Sequence, residues 1–272
     1  LRAARAALTE ALAWGAEVIV AKGDLTHDSE AAEFEAFAGL LASFPVPHVV
    51  VLGNHDVRHH ADGPTVLARH GIHAFVEAAS TDLPGVRLVT AHTPRPHDKR
   101  GHLGVDETEL IAKLAGEAPA GVVLVLHHPP QLTPFPVHYP PGLVPKDSAR
   151  LLREVAEANP ASIVIAGHTH RNRLHLKGPL PVVEVGSPKD YPGGWAGYAV
   201  HEGGIRQVVR RVSRPDVIAW TEATATAVFG QWGRWSPGTL ADRCWSYSWP
   251  TRPEAKTGVA AVGQAILGEP AG

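Results

Sequence analysis

The sequence predicts an α/β fold, a sheet with helices on its faces, and three observations carry that reading. Short apolar runs with no polar interruption recur along the chain, as strands buried on both faces require. Segments with apolar residues at helical spacing alternate with them. After residue 180 the helical segments stop and short strands joined by Gly-rich turns take over.

Taken in order, residues 1–14 are rich in Ala, Leu and Arg at helical spacing, and Gly15 ends the helix. Val18–Ala21 is a buried strand leading into Gly23-Asp24. Ser29 is the expected N-cap of a second helix carrying Phe34, Phe37 and Leu41, which Pro45 and Pro47 stop. His48–Leu52 is the next strand and exits into Gly53-Asn54-His55-Asp56. Leu88–Ala91 is a strand, and 106–114 a helix with Asp106 as cap and Glu109 at capping-box spacing. Val122–Leu126 ends at His127-His128-Pro129-Pro130, and a proline-rich loop runs on to Pro145. Ser148–Ala158 is a helix and Ser162–Ala166 a strand ending at Gly167-His168-Thr169-His170. Pro181–Val185, Gly197–His201 and Ile205–Val212 read as an antiparallel finish to a second sheet. We therefore expect one domain over 1–212 and a Trp-rich C-terminal extension of unassigned role over 213–272, carrying Trp220, Trp232, Trp235, Trp245 and Trp249.

Composition narrows the function. With 44% hydrophobic and 19% charged residues, the chain has enough apolar material for a core. A net charge of -2 argues against a broad nucleic-acid surface. Cys244 is the sole cysteine, so a metal site must be built from His, Asp, Asn or Glu. There is neither an apolar run long enough to span a bilayer nor a charged-then-apolar leader. We expect no membrane and a cytoplasmic location. Histidine is abundant, at 17. Any single histidine is more often a surface or hydrogen-bonded core residue. Clusters at strand ends deserve a different weight.

Four loops share one property: each follows an apolar strand and carries side chains able to bind a hard or borderline metal. They are Gly23-Asp24, Gly53-Asn54-His55-Asp56, His127-His128 and Gly167-His168-Thr169-His170. In open α/β sheets, ligand sites gather beyond the carboxyl ends of the strands. Carboxylate, imidazole and amide-carbonyl donors gathered at one point suit a divalent cation. His128 is expected to be structural, His27, His59 and His60 solvated or on the rim. Arg171 and Asn172 could reach substrate or be surface loop residues. Tyr139 and His138 are candidates for a pocket wall.

The order Gly-Asp, Gly-Asn-His-Asp, His-x-Pro, Gly-His-x-His resembles the calcineurin-like metallophosphoesterase superfamily over about residues 15–212. The His127-His128-Pro129-Pro130 form is similar to the bacterial group that includes class III cyclic-nucleotide phosphodiesterases. The resemblance implies a four-layer α/β/β/α sandwich and two divalent ions (Mn, Fe or Zn, with Co also suited to these ligands) about 3.5–4 Å apart. It implies that Asp24 bridges both metals, that Asn54, His127 and His168 bind the second, and that His170 binds the first. It makes His55 the group that assists the leaving alkoxide, oriented by Asp56. The implied reaction is hydrolysis of a phosphomonoester or phosphodiester by a two-metal-activated hydroxide. Its substrate is a small phosphoester, possibly a nucleotide.

The family's earlier Asp-x-His motif, which supplies two ligands to the first metal, occurs nowhere in these residues. The chain has no methionine and starts inside an expected helix. From this we expect a fragment whose sandwich lacks its first strand, with neighbouring backbone groups left unpaired, the competing explanation being a protein that has lost the site. Such a chain holds too few first-metal ligands for a firm site and is expected to be inactive by itself. The competing readings are a non-catalytic protein-binding scaffold on the same fold and a nuclease. Oligomeric state is not legible.

Overall fold

Burial on both faces decides which runs become central strands. The computed structural model describes residues 1–59, 62–133 and 139–250. Its elements begin with α1 (Arg2–Ala13), β1 (Ile19–Lys22), α2 (Ala31–Ala42), β2 (His48–Val51), α3 (Gly63–Arg69) and β3 (Ala74–Phe75). β1, β2 and β3 form a parallel sheet in that order. A six-stranded sheet comes next, made of β4 (Ala79–Leu83), β5 (Val86–Thr90), β6 (Gly121–Val125), β7 (Ser162–Ala166), β8 (Arg173–His175) and β9 (Val182–Glu184). Its order is β4-β5-β6-β7-β9-β8, with antiparallel strands at the two edges and parallel pairing inside. α4 (Val105–Gly116) and α5 (Pro145–Ala158) are its crossovers. β10 (Gly194–His201) and β11 (Gly204–Arg211) form a hairpin. α6 (Pro215–Thr224), α7 (Gln231–Trp235) and α8 (Leu240–Arg243) then lead to β12 (Cys244–Ser248), which pairs antiparallel with β11.

Alternation along β6 builds the layers. Val122 and Leu124 pack outward with Ile111 of α4 and with Leu151 and Val155 of α5. Val123 and Val125 pack inward against Val49 and Val51 of β2 and Ile205 of β11. The far face of β2 places Val50 against Phe34, Phe37 and Leu41 of α2 and Val66 and Leu67 of α3. Ala6 and Ala7 of α1 pack with Val212 and Val217. The result is helices, sheet, sheets, helices: the α/β/β/α sandwich. Phe34 and Leu124 are fully buried, so truncating either to alanine costs about 2–5 kcal/mol.

The inner layer is interrupted. β1 and β10 are edge strands of their two three-stranded sheets, and among the described residues neither has a further strand partner. Between them lies an apolar cavity of about 860 Å³, lined by α1, by both edges, and by Val123, Ile165 and Val185 of the large sheet.

Three local expectations need correction. Val182–Glu184 joins the six-stranded sheet beside β7 rather than the antiparallel sheet, because all three residues are buried, as a central strand demands. The residue flanking α2 is Glu30, not Ser29, whose hydroxyl instead accepts the His59 N–H. Gly104 precedes α4, and the carboxylate that returns to its N–H belongs to Glu107, so Asp106 lies inside the first turn. His60, His138 and residues 251–272 of the Trp-rich extension lie outside the described residues.

Candidate metal centre

Parallel pairing sets the loops side by side. Lys22 lies opposite Val51, so Gly23-Asp24 and Gly53-Asn54 leave β1 and β2 as neighbours. Val125 lies opposite Ile165, so His127 and Gly167-His168 leave β6 and β7 together, tied by the Gly167 N–H to the His127 carbonyl at 3.0 Å. The two pairs come from different sheets and meet at one end of the sandwich. Close approach there requires glycine. A Cβ on Gly53 would stand 2.2 Å from Asp24 Oδ1, and one on Gly23 would stand 2.5 Å from His127 Nδ1. Asp24, His168 and His170 all adopt left-handed backbone conformations, with φ of 53°, 65° and 52°. Such strain in non-glycine residues clusters at functional sites.

Four side-chain atoms converge. His127 Nε2 lies 3.3 Å from Asp24 Oδ1, 3.2 Å from Asn54 Oδ1 and 3.1 Å from His168 Nδ1. The main chain fixes where the imidazole protons are. His127 Nδ1 donates to the Lys22 carbonyl at 2.7 Å, and His168 Nε2 donates to the Pro141 carbonyl at 3.1 Å. A carbonyl only accepts, so the two facing nitrogens carry lone pairs. Burial, with the neighbouring imidazoles, holds the His168 pKa down to about 3, and burial lowers that of His127, so both rings are neutral. Burial opposes ionisation of Asp24, but the His55 N–H, donated to its Oδ1 at 3.1 Å, helps keep its carboxyl below the ordinary range. A carboxylate, an amide oxygen and two bare imidazole nitrogens therefore point at one another with no proton between them. That donor set fits a divalent cation.

The other expected residues fall around this point. His170 Nδ1 lies 2.5 Å from Asp190 Oδ2, which fixes its tautomer and leaves the lone pair on Nε2. His55 donates its Nδ1 proton to the His27 carbonyl at 2.7 Å and is approached at Nε2 by Arg58 at 3.2 Å. Asp56 does not orient His55. Its Oδ1 accepts from the Thr26 N–H and hydroxyl at 2.9 and 2.8 Å, and its Oδ2 from the Gly53 N–H at 2.8 Å. This buried carboxylate ties the first metal-facing loop to the second. Burial and the Asp24 charge push its pKa up to about 7. His128 is buried, with Nδ1 2.8 Å from the Thr93 hydroxyl, and its ring lies against His168.

Arg171 and Asn172 prove to be interior residues. Arg171 forms a two-pronged ion pair with Glu184 at 2.9 Å per contact, and Glu184 also meets the Thr169 hydroxyl at 2.5 Å. The His168–His170 loop is thereby fastened to β9. Asp190, Glu184 and Arg58 escaped the sequence reading because each lies outside the recognisable loops and acts through a spatial partner.

A two-layered β-sandwich with helices on both sides, whose strand ends gather Asp, Asn and His donors, defines a metal-binding phosphoesterase fold. The chain belongs to the calcineurin-like phosphoesterase family, whose profile matches residues 2–172. It is similar to a probable cyclic nucleotide phosphodiesterase of Synechococcus sp., with 24% identity over 66% of this chain and 70% of that protein. It is also similar to a cAMP/cGMP dual specificity phosphodiesterase of Mycobacterium tuberculosis, with 29% identity over 57% of this chain and 48% of that protein. The chain thus spans about half the length of the mycobacterial relative. A purple acid phosphatase from yellow lupin seeds superposes with a TM-score of 0.56 at 15% identity, over 78% of this chain and 47% of that one. The anchor in the inner membrane complex of Plasmodium superposes with 0.57 at 11%, over 79% and 80%. These likenesses show the fold. No described helix is long and apolar enough to cross a membrane.

Proposed function

We propose that this site hydrolyses a phosphomonoester or small phosphodiester with the help of two divalent metal ions, and that the substrate is a nucleotide-type compound. The convergence of four proton-free donors on one point carries the reading, and the names of the relatives, which are cyclic nucleotide phosphodiesterases, support the substrate class. Asp24, Asn54, His127 and His168 hold one ion. Asp24 and His170 are the residues of this chain that face the other. When bound, the ions neutralise phosphoryl charge and make water nucleophilic near neutral pH. The chain's own groups do the rest. Arg58 lines the same cavity of about 220 Å³ and adds positive charge at the phosphoryl group. His55, also on that cavity, has Nδ1 committed to the His27 carbonyl, so Nε2 is the nitrogen that, once protonated and released from Arg58, would pass that proton to the departing alkoxide.

The test is Mn²⁺ binding by calorimetry together with hydrolysis of bis(p-nitrophenyl) phosphate and cyclic AMP. The reading requires Mn²⁺ binding that His127→Ala abolishes. With an Asp-x-His-bearing strand supplied ahead of residue 1, it also requires Mn²⁺-dependent turnover that His55→Ala lowers by roughly 10²–10⁴-fold with Mn²⁺ affinity unchanged. Neither Mn²⁺ binding by this chain nor turnover by the extended one would transfer the weight to a protein-binding module on the same fold.

A further inference from the structure

The cavity that holds the metal-facing side chains has lining residues that charge neutralisation does not explain. Besides Asp24, His55 and His170 it is lined by Lys99, Tyr139 and Trp232. Trp232 belongs to α7, beyond residue 172 where the family match ends. Trp232 is partly exposed and lines the cavity.

The ring is held in register with the metal loop. Asn172, two residues after His170, donates its N–H to the Ser236 carbonyl at 2.9 Å and its side-chain amide to the Pro237 carbonyl at 3.2 Å. The Arg171 guanidinium lies 5.1 Å from the centre of the Trp235 ring, and Trp235 meets Trp232 edge-on at 6.3 Å. Ser236 returns to Trp232, donating both its N–H and its hydroxyl to the Trp232 carbonyl at 2.9 and 2.8 Å. Two residues next to a metal-facing histidine thus clamp the helix that carries the indole. A platform fixed this way loses little conformational freedom on binding. An indole stacks with planar π-systems, and stacking on an aromatic side chain tolerates any base. Lys99 and Tyr139, linked at 2.9 Å, line the same cavity.

We propose that Trp232 is the platform on which the nucleobase of the substrate stacks, and that it sets the preference for nucleotides over phosphoesters without a base. The inference rests on the phosphoesterase reading above and names the substrate feature that the site selects.

The test compares adenosine 5′-monophosphate with ribose 5-phosphate, which shares the phosphate and sugar but has no base. Both are titrated calorimetrically into the Mn²⁺-supplemented protein and its Trp232→Ala, Trp232→Leu and Trp232→Phe variants. We expect the wild type to bind the nucleotide tighter by roughly 5- to 100-fold. The alanine and leucine variants are expected to lose most of that ratio with ribose 5-phosphate affinity unchanged, and the phenylalanine variant to keep most of it. Leucine preserves apolar bulk on α7, so loss of the ratio in that variant reports the π-face rather than a collapsed helix. A nucleotide-to-sugar ratio that survives in Trp232→Leu, or a wild-type ratio near one, overturns the assignment while leaving the phosphoesterase reading intact. Failure of the wild type to bind either compound overturns both.

Discussion

His127 Nε2 and His168 Nδ1 face each other at 3.1 Å with both protons directed elsewhere, into the Lys22 and Pro141 carbonyls. With Asp24 and Asn54 completing the ring, the arrangement is repulsive by itself and favourable around a cation. Metal binding should therefore appear as stability. At a Mn²⁺ concentration 100 times the dissociation constant the gain is about 2.7 kcal/mol. For a chain of this size that raises the melting temperature by roughly 5–10 °C. Thermal melts with Mn²⁺ and with EDTA measure it. His127→Ala should melt at nearly the same temperature in both, because it removes the most central donor and with it the repulsion.

Asp56 links two loops, and its replacement should weaken metal binding rather than change His55. In Asp56→Asn the amide NH₂ must face either the Gly53 N–H or the Thr26 donors, which leaves a buried donor unmet at a cost of about 1–3 kcal/mol. We expect a lower melting temperature and weaker Mn²⁺ binding, with no loss of turnover at saturating Mn²⁺ in the chain extended by an Asp-x-His-bearing strand. A turnover defect that persists at saturation would return Asp56 to a role beside His55.

The strand-end loops were legible because each is contiguous with an apolar run, and that continuity fixes which end of the sheet the polar residues occupy. The alternation of strands and helices put the loops of Asp24, Asn54, His127 and His168 at strand ends, and the family resemblance assigned them to one ion. The carbonyls of Lys22 and Pro141, which set the two tautomers, were not legible, since a main-chain oxygen leaves no mark in the sequence. Arg171 and Asn172 looked like loop residues because their partners, Glu184 and Ser236, lie in distant segments. β9 looked antiparallel because the turns around it resemble those of β10, and only its burial on both faces assigns it to the large sheet.

Asp190 is expected to act on His170 alone. Asp190→Asn keeps the shape but can turn either an oxygen or an NH₂ toward Nδ1, so the tautomer is no longer fixed. Carboxylates that orient a metal-bound histidine are worth roughly 10–100-fold in metal affinity. Calorimetric Mn²⁺ titration should show a loss of that order, and Asp190→Glu should restore part of it if the contact is the cause.

Glu184 gives a pH signature with a definite sign. Burial alone would raise its pKa. The hydrogen bonds from His175 at 2.6 Å and from Arg171, the Arg171 charge and the Thr169 hydroxyl override burial and hold the carboxyl far below its ordinary value of 4.5. A carboxylate whose folded pKa is depressed contributes stability above its unfolded pKa and loses it as pH falls toward the folded one. Glu184→Gln leaves the buried Arg171 without its counter-charge and should cost about 3 kcal/mol at pH 7. In urea unfolding, the difference between wild type and variant should stay level down to about pH 4.5 and shrink below it. A difference that stays level well below that pH would mean that the variant disturbs packing rather than an ion pair. Because Glu184 also holds Thr169 between His168 and His170, the same variant should bind Mn²⁺ more weakly at pH 7. A variant that lost stability but kept full metal affinity would show that the loop holds its shape without β9.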